Sequence, residues 1–128
     1  MGLKVLIVDD SSVMRKILER SLRQAWKGGI DSVTEAGDGG EAMDKLDELG
    51  GDAVEVIFSD INMPNLNGLD FLRQLKESPH KDLPVIMVTT EGGERTVLEA
   101  ISLGAKGFIR KPFTAEQMEA ALQKALSG

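Results

Sequence analysis

Lys4-Val5-Leu6-Ile7-Val8-Asp9-Asp10-Ser11-Ser12 is the stretch on which the fold turns. Four apolar residues run without interruption, stop at two carboxylates, and are followed by two hydroxyl side chains. An unbroken apolar run of this length reads as a strand covered on both faces, as in a parallel sheet. Ser11 or Ser12 then supplies a helix N-cap. A second strand candidate, Val54 to Ser59, carries the apolar run Val56-Ile57-Phe58 and is followed by Asp60. Three acidic residues therefore fall at two strand ends.

Working outward, strands and helices alternate along the chain. Val13, Met14, Ile17, Leu18, Leu22 and Ala25 form the stripe of a first helix, closed by Lys27-Gly28-Gly29. Ile30 to Ala36 is a polar, edge-type strand with Val33 as its best core residue. Gly37-Asp38-Gly39-Gly40 reads as a turn, and Ala42, Leu46 and Leu49 mark a second helix ending at Gly50-Gly51. After the third strand, Asn62 to Gly68 is a loop, and Leu69, Leu72 and Leu75 give a third helix ending before Pro79. Pro84 to Val88 is strand four and Thr90 to Glu94 a loop. Val97, Ala100 and Ile101 mark helix four, with Gly104 as its C-terminal cap. Gly107-Phe108-Ile109 is a short fifth strand. Thr114 and Gln117 have capping-box spacing ahead of Met118, Ala121, Leu122, Ala125 and Leu126. The expected organisation is one domain over residues 1–128.

This alternation implies an α/β fold: an open parallel sheet with helices on both faces and right-handed crossovers. Sites in such sheets form beyond the carboxyl ends of the strands. Asp9, Asp10, Asp60, Thr89 and Lys111 would share that rim, with Thr90 a rival to Thr89 by position. Crowded carboxylates call for a hard cation such as Mg²⁺, which prefers carboxylate, carbonyl and water oxygens. Asp60 is the best nucleophile candidate, since a carboxylate can attack phosphorus to form an aspartyl-phosphate. Lys111 can neutralise a transferred phosphoryl group, and a threonine hydroxyl can donate to it. Separately, each residue has a plainer role: Asp9 and Asp10 as helix caps, Asp60 as a loop cap, Lys111 as an exposed lysine before Pro112.

Composition excludes several classes. The chain has 128 residues, 15 basic against 21 acidic, for a net charge of −6. An acidic domain with 4 Phe and 1 Trp offers neither a phosphate-neutralising face nor a stacking platform, so no nucleic-acid partner is expected. Cysteine is absent, which removes disulfides and thiolate chemistry. No long apolar run and no secretory signal is read, so no membrane partner and a cytoplasmic location are expected. There is no GxxxxGK[ST] loop, and the first strand is not followed by a glycine-rich turn. His80, the single histidine, reads as an exposed loop residue and not as a catalytic base.

Together, Val8-Asp9-Asp10-Ser11-Ser12-Val13-Met14-Arg15, Asp60-Ile61-Asn62-Met63-Pro64, Val88-Thr89 and Lys111-Pro112-Phe113 resemble the receiver domain of two-component response regulators over nearly the whole chain. The resemblance implies a flavodoxin-like (βα)5 sandwich of three layers with strand order 2-1-3-4-5. It implies that Asp60 is the phosphoacceptor, and that Asp10, Asp60 and the main-chain carbonyl of Asn62 bind Mg²⁺, or Mn²⁺ in its place. Asp9 would assist through water. Thr89 becomes the switch hydroxyl in preference to Thr90, Lys111 contacts the phosphoryl group, and the Lys111–Pro112 bond is cis. Phe108 becomes the aromatic switch residue of strand five, where chemotaxis members of the family typically carry Tyr. Asn62 and Glu91 take the positions that tune phosphoryl lifetime, and their types imply a signal of seconds to minutes. The implied partners are a sensor histidine kinase, a downstream protein such as a motor-switch component, and a dedicated phosphatase, with the chain itself a monomer.

The resulting expectation is a chemotaxis or motility signalling protein that catalyses only its own phosphotransfer and autodephosphorylation. It would signal through the surface of helix four, strand five and helix five. One alternative is a receiver cut from a larger regulator with a DNA-binding or enzymatic output. The start at Met1 and the end at Ser127-Gly128 lean against it. Another is a doubly wound phosphatase using an aspartate nucleophile, but such enzymes usually carry a cap insertion, and no segment here is long enough for one.

Overall fold

The computed structural model describes residues 2–50, 52–61, 63, 67–90 and 93–127. The elements run β1 (Leu3–Val8), α1 (Ser12–Ala25), β2 (Ile30–Ala36), α2 (Gly39–Leu49), β3 (Val56–Ser59), α3 (Gly68–Lys76), β4 (Val85–Thr89), α4 (Glu94–Ser102), β5 (Gly107–Arg110) and α5 (Ala115–Ser127). The strands form one sheet in the order β2-β1-β3-β4-β5, and every adjacent pair is parallel. This is the flavodoxin-like arrangement that the motifs implied.

The apolar strands are split residue by residue between two cores. Leu3, Val5 and Ile7 of β1, Val56 and Phe58 of β3, and Ile86 and Val88 of β4 pack with Leu18 and Leu22 of α1 and Met118 and Leu122 of α5. Leu6, Val8, Ile57, Val85 and Met87 point the other way, onto Leu46 of α2, Phe71, Leu72 and Leu75 of α3, and Ala100 of α4. Successive strand side chains alternate faces, so an unbroken apolar run feeds both layers at once. β2 lies at the sheet edge, is mostly half-buried or exposed, and fully buries only Ala36. Val33 is half-buried against the α1 and α5 layer.

Local signals set the helix starts. Ser11 caps α1 by accepting from the Met14 N–H. Asp38 caps α2 through the Glu41 N–H and Asn67 caps α3 through the Asp70 N–H. Thr114 and Gln117 exchange reciprocal bonds at the start of α5, as a capping box requires. Gly104 ends the α4 segment with φ 103°, a conformation that glycine adopts without strain.

Several expectations need correction. Gly39 and Gly40 are the first residues of α2, not turn residues, because Asp38 caps a helix that begins directly after it. β3 begins at Val56, and Val54 is buried just ahead of it. Val13, Ile17, Leu49, Ile101 and Leu126 are exposed. Four of them sit one position from a core-facing residue (Met14, Leu18, Ala100 and Ala125), a rotation of about 100° that carries them off the contact face. Leu49 is the last residue of α2, beyond the sheet contact. His80 is not exposed: its side chain retains 10% of its accessible surface, and Nε2 lies 2.9 Å from Asp47 Oδ1. That pair joins α2 to the α3–β4 connection, and a partner 33 residues away left no local sign.

Leu72 is wholly buried between α3 and the sheet. Leu72→Ala is expected to lower unfolding free energy by about 2–5 kcal/mol, measured by urea denaturation with an unchanged m-value.

Candidate functional site

The rim at the carboxyl ends of the strands is fixed by main-chain hydrogen bonds that run one residue past the strands. Asp9 N–H donates to the Ala36 carbonyl at 3.0 Å, Asp60 N–H to the Val8 carbonyl at 2.9 Å, and Lys111 N–H to the Thr89 carbonyl at 2.9 Å. Asp9, Asp60 and Lys111, each directly after a strand, are thereby anchored to a neighbouring strand.

The side chains then converge. Asp9, Asp10 and Asp60 can each offer a carboxylate oxygen such that all lie within 4.8 Å of one another. Asp9 and Asp60 are buried and Asp10 is exposed. Lys111 Nζ stands 3.2 Å from Asp9 Oδ2 and 3.5 Å from Asp60 Oδ2. The other oxygens of Asp9 and Asp60 are held by the backbone: Ser11 N–H donates to Asp9 Oδ1 at 2.9 Å, and Ile61 N–H to Asp60 Oδ1 at 2.7 Å. One ammonium among three carboxylates leaves an excess of negative charge, and the donor set is all oxygen. Hard divalent cations suit such a set.

Thr89 is buried at the end of β4, and Thr90 is exposed beyond it. The Lys111–Pro112 peptide bond is cis, as the motif implied. Phe108 is half-buried on β5 against the α2, α3 and α4 core. It also borders a cleft of about 540 Å³ lined by Val97, Arg110, Gln117, Ala121 and Lys124. Asn62 and Glu91 lie outside the described residues.

Three supporting residues carried no assigned role in the sequence reading. Arg15 Nη1 donates to the Asp9 carbonyl at 2.6 Å while Arg15 Nε pairs with Glu35 at 2.9 Å. Lys16 Nζ takes the other Glu35 oxygen at 3.1 Å. Arg15 therefore ties α1 and β2 to the acidic rim. Helical spacing from Ser11 places Arg15 above the strand end, but nothing local to Glu35 marks it as its partner. The third is Gly68, whose N–H donates to the Ile61 carbonyl at 2.8 Å. A Cβ at Gly68 would collide with the Asp60 carbonyl oxygen and the Ile61 Cα, so the start of α3 can close beneath Asp60 only as glycine. A glycine at a helix start reads as a turn former, which hid this role.

Residues 5–123 match the family model described as "Response regulator receiver domain". The chain belongs to the response regulator receiver family. The receiver domain is 41% identical over 125 residues to a chemotaxis protein CheY homolog of Campylobacter jejuni, a match that covers 97% of this chain and 92% of that one. It is 40% identical to chemotaxis protein CheY1 of Helicobacter pylori, covering 97% of each. The solved structure of Vibrio cholerae chemotaxis protein CheY4 superposes with a TM-score of 0.83 at 35% identity, covering 98% of this receiver and all of that chain. The receiver is thus closely related to CheY-type chemotaxis proteins. Receiver domains of this family are signalling proteins and not classical enzymes. Among the described residues, no helix is long and apolar enough to cross a membrane.

Crowding of like charges at the receiver's rim has a measurable cost. Asp10→Asn removes one of the carboxylates and is expected to stabilise the metal-free protein by about 1 kcal/mol. The gain should appear as a higher melting temperature that shrinks with added salt.

Glu35 should behave in the opposite sense. Burial opposes its charge, but hydrogen bonds and positive charge from Arg15 and Lys16 outweigh this and hold its pKa below the usual carboxylate value. A lowered folded pKa contributes stability above the unfolded pKa and loses it as pH falls through the folded one. Glu35→Gln is expected to cost about 0.5–1 kcal/mol near neutral pH, a size fitting a partly solvated pair. The difference from wild type should vanish on the acid side of the carboxylate range in a pH series of thermal melts.

Proposed function

We propose that this protein is a phosphorylation-activated receiver of a two-component chemotaxis or motility pathway, with Asp60 as its phosphoacceptor. The observation that carries the reading is the convergence of Asp9, Asp10 and Asp60 on one rim, with the Lys111 ammonium against Asp9 and Asp60. The chemotaxis names of its relatives point to the same class of pathway.

In this reading Asp60 Oδ2 attacks the phosphorus of a phosphohistidine on a sensor kinase. A P–O bond forms, the P–N bond breaks, and the leaving imidazole nitrogen takes the electron pair and then a proton. Asp60 Oδ1 keeps the Ile61 N–H, which orients the carboxylate. Lys111 sits where the new phosphoryl oxygens would carry charge. Asp10 and Asp60, with the Asn62 carbonyl and Asp9 through water, would hold Mg²⁺ or Mn²⁺. The cation would screen the carboxylates and gather phosphoryl oxygens. Water later hydrolyses the acyl phosphate and resets the protein, with Asn62 and Glu91 setting a lifetime of seconds to minutes.

Phosphorylation adds charge and strong acceptors at Asp60. The Thr89 hydroxyl answers as a donor, and Phe108 moves with it. The surface of α4, β5 and α5, with the cleft beside Phe108, would then bind a downstream protein. Phe108 can fill an inward pocket but offers that partner no hydroxyl bond. The working unit is a single receiver domain, monomeric, in the cytoplasm.

Intact-mass measurement after treatment with a small acyl phosphate tests the assignment. One added phosphoryl group is expected with Mg²⁺, and none with chelator or in Asp60→Asn. Labelling that survives in Asp60→Asn would reject Asp60 as the acceptor. Mg²⁺ is also expected to raise the melting temperature through preferential binding to the folded state, and Asp10→Asn to remove most of that rise.

A further inference from the structure

Lys76 lies at the opposite end of the sheet from the acidic rim, as the last residue of α3. Its aliphatic stem crosses the bare backbone of Gly104, where a Cβ would come within 2.5 Å of Lys76 Cε. Its Nζ donates to the Lys81 carbonyl at 3.1 Å. The amine is thus held in place, unlike a freely rotating surface lysine. It opens into a cleft of about 670 Å³ whose charged lining is Lys76, Lys81, Lys106, Asp82 and Glu55. Three ammonium groups face two carboxylates there, a balance that favours a small anion. Burial and the Lys106 ammonium both hold the Lys76 amine below its usual basicity, with Asp82 opposing.

We propose that Lys76 is a covalent acylation site that takes its acyl group from small acyl phosphates drawn into the Lys76–Lys81–Lys106 cleft. The neutral amine attacks the acyl carbon. The N–C bond forms, the C–O bond to phosphorus breaks, inorganic phosphate leaves with the electron pair, and the nitrogen loses a proton to water. The product amide carries no charge, so the repulsion between Lys76 and Lys106 is relieved. Acylation at carbon here is chemically distinct from attack at phosphorus and does not depend on the proposed role of Asp60.

Peptide mapping of the full chain after timed exposure to acetyl phosphate, and in parallel to acetic anhydride, gives acetylation rates lysine by lysine. Near neutral pH, Lys76 is expected to react severalfold faster than the exposed Lys16 and Lys124 with both reagents. The lead should close at a pH high enough to deprotonate all three. Lys106→Gln should slow Lys76 severalfold near neutral pH and leave Lys16 unchanged, and Asp60→Asn should leave the Lys76 rate unaltered. Equal rates at the three lysines with acetic anhydride would overturn Lys76 as a privileged nucleophile. A lead with the anhydride but not with acetyl phosphate would overturn the donor class. A Lys76 rate indifferent to Lys106→Gln would overturn the role of the cleft.

Discussion

Parallel strands whose hydrogen-bond ladder runs one residue past their carboxyl ends are the constraint on which this molecule depends. Asp9 hangs from Ala36, Asp60 from Val8 and Lys111 from Thr89, each through a main-chain bond. The buried carboxylates and the lysine meet because the backbone delivers them to one rim. Without that ladder, like charges would not stay so close. With it, the repulsion is held in place by two cores of interleaved strand side chains, and Lys111 offsets part of it.

The sheet was legible in the sequence because its central strands are apolar at every position that must feed both cores. Val5 to Val8 and Val56 to Phe58 carry no polar interruption, so period and length alone identify them. β2 was legible as an edge for the opposite reason, its mixed faces. Helix faces were read less well. Val13, Ile17, Ile101 and Leu126 are apolar yet exposed, since hydrophobicity marks the stripe but not where contact with the sheet ends. The start of α2 was misread because glycines at a helix N-terminus resemble a turn until the Asp38 cap is seen.

The rim residues were legible for a topological reason: Asp9, Asp60 and Lys111 stand directly after strands, Asp10 one residue further on, and Thr89 closes β4. Its supports were not. Arg15 binds a main-chain carbonyl and Glu35, and neither partner can be read from the residues beside it. Gly68 matters through the side chain it lacks, and only three-dimensional crowding under Asp60 reveals this. The His80–Asp47 pair is of the same kind, with both residues unremarkable in their own segments. Long-range polar pairing leaves no periodic trace, so it becomes visible only in three dimensions.

The bond from the Lys111 N–H to the Thr89 carbonyl separates two kinds of inheritance. Both of its atoms belong to the main chain, so nearly any pair of side chains at 89 and 111 could keep the spacing; proline at 111 could not. The same holds for Asp60 on Val8 and Asp9 on Ala36. Distances at the rim are therefore written in backbone, while reactivity is written in side chains. A lineage can exchange one without disturbing the other. Chains of this architecture can accordingly drift far in sequence, or lose their chemistry altogether, and still present the same empty frame to their surroundings.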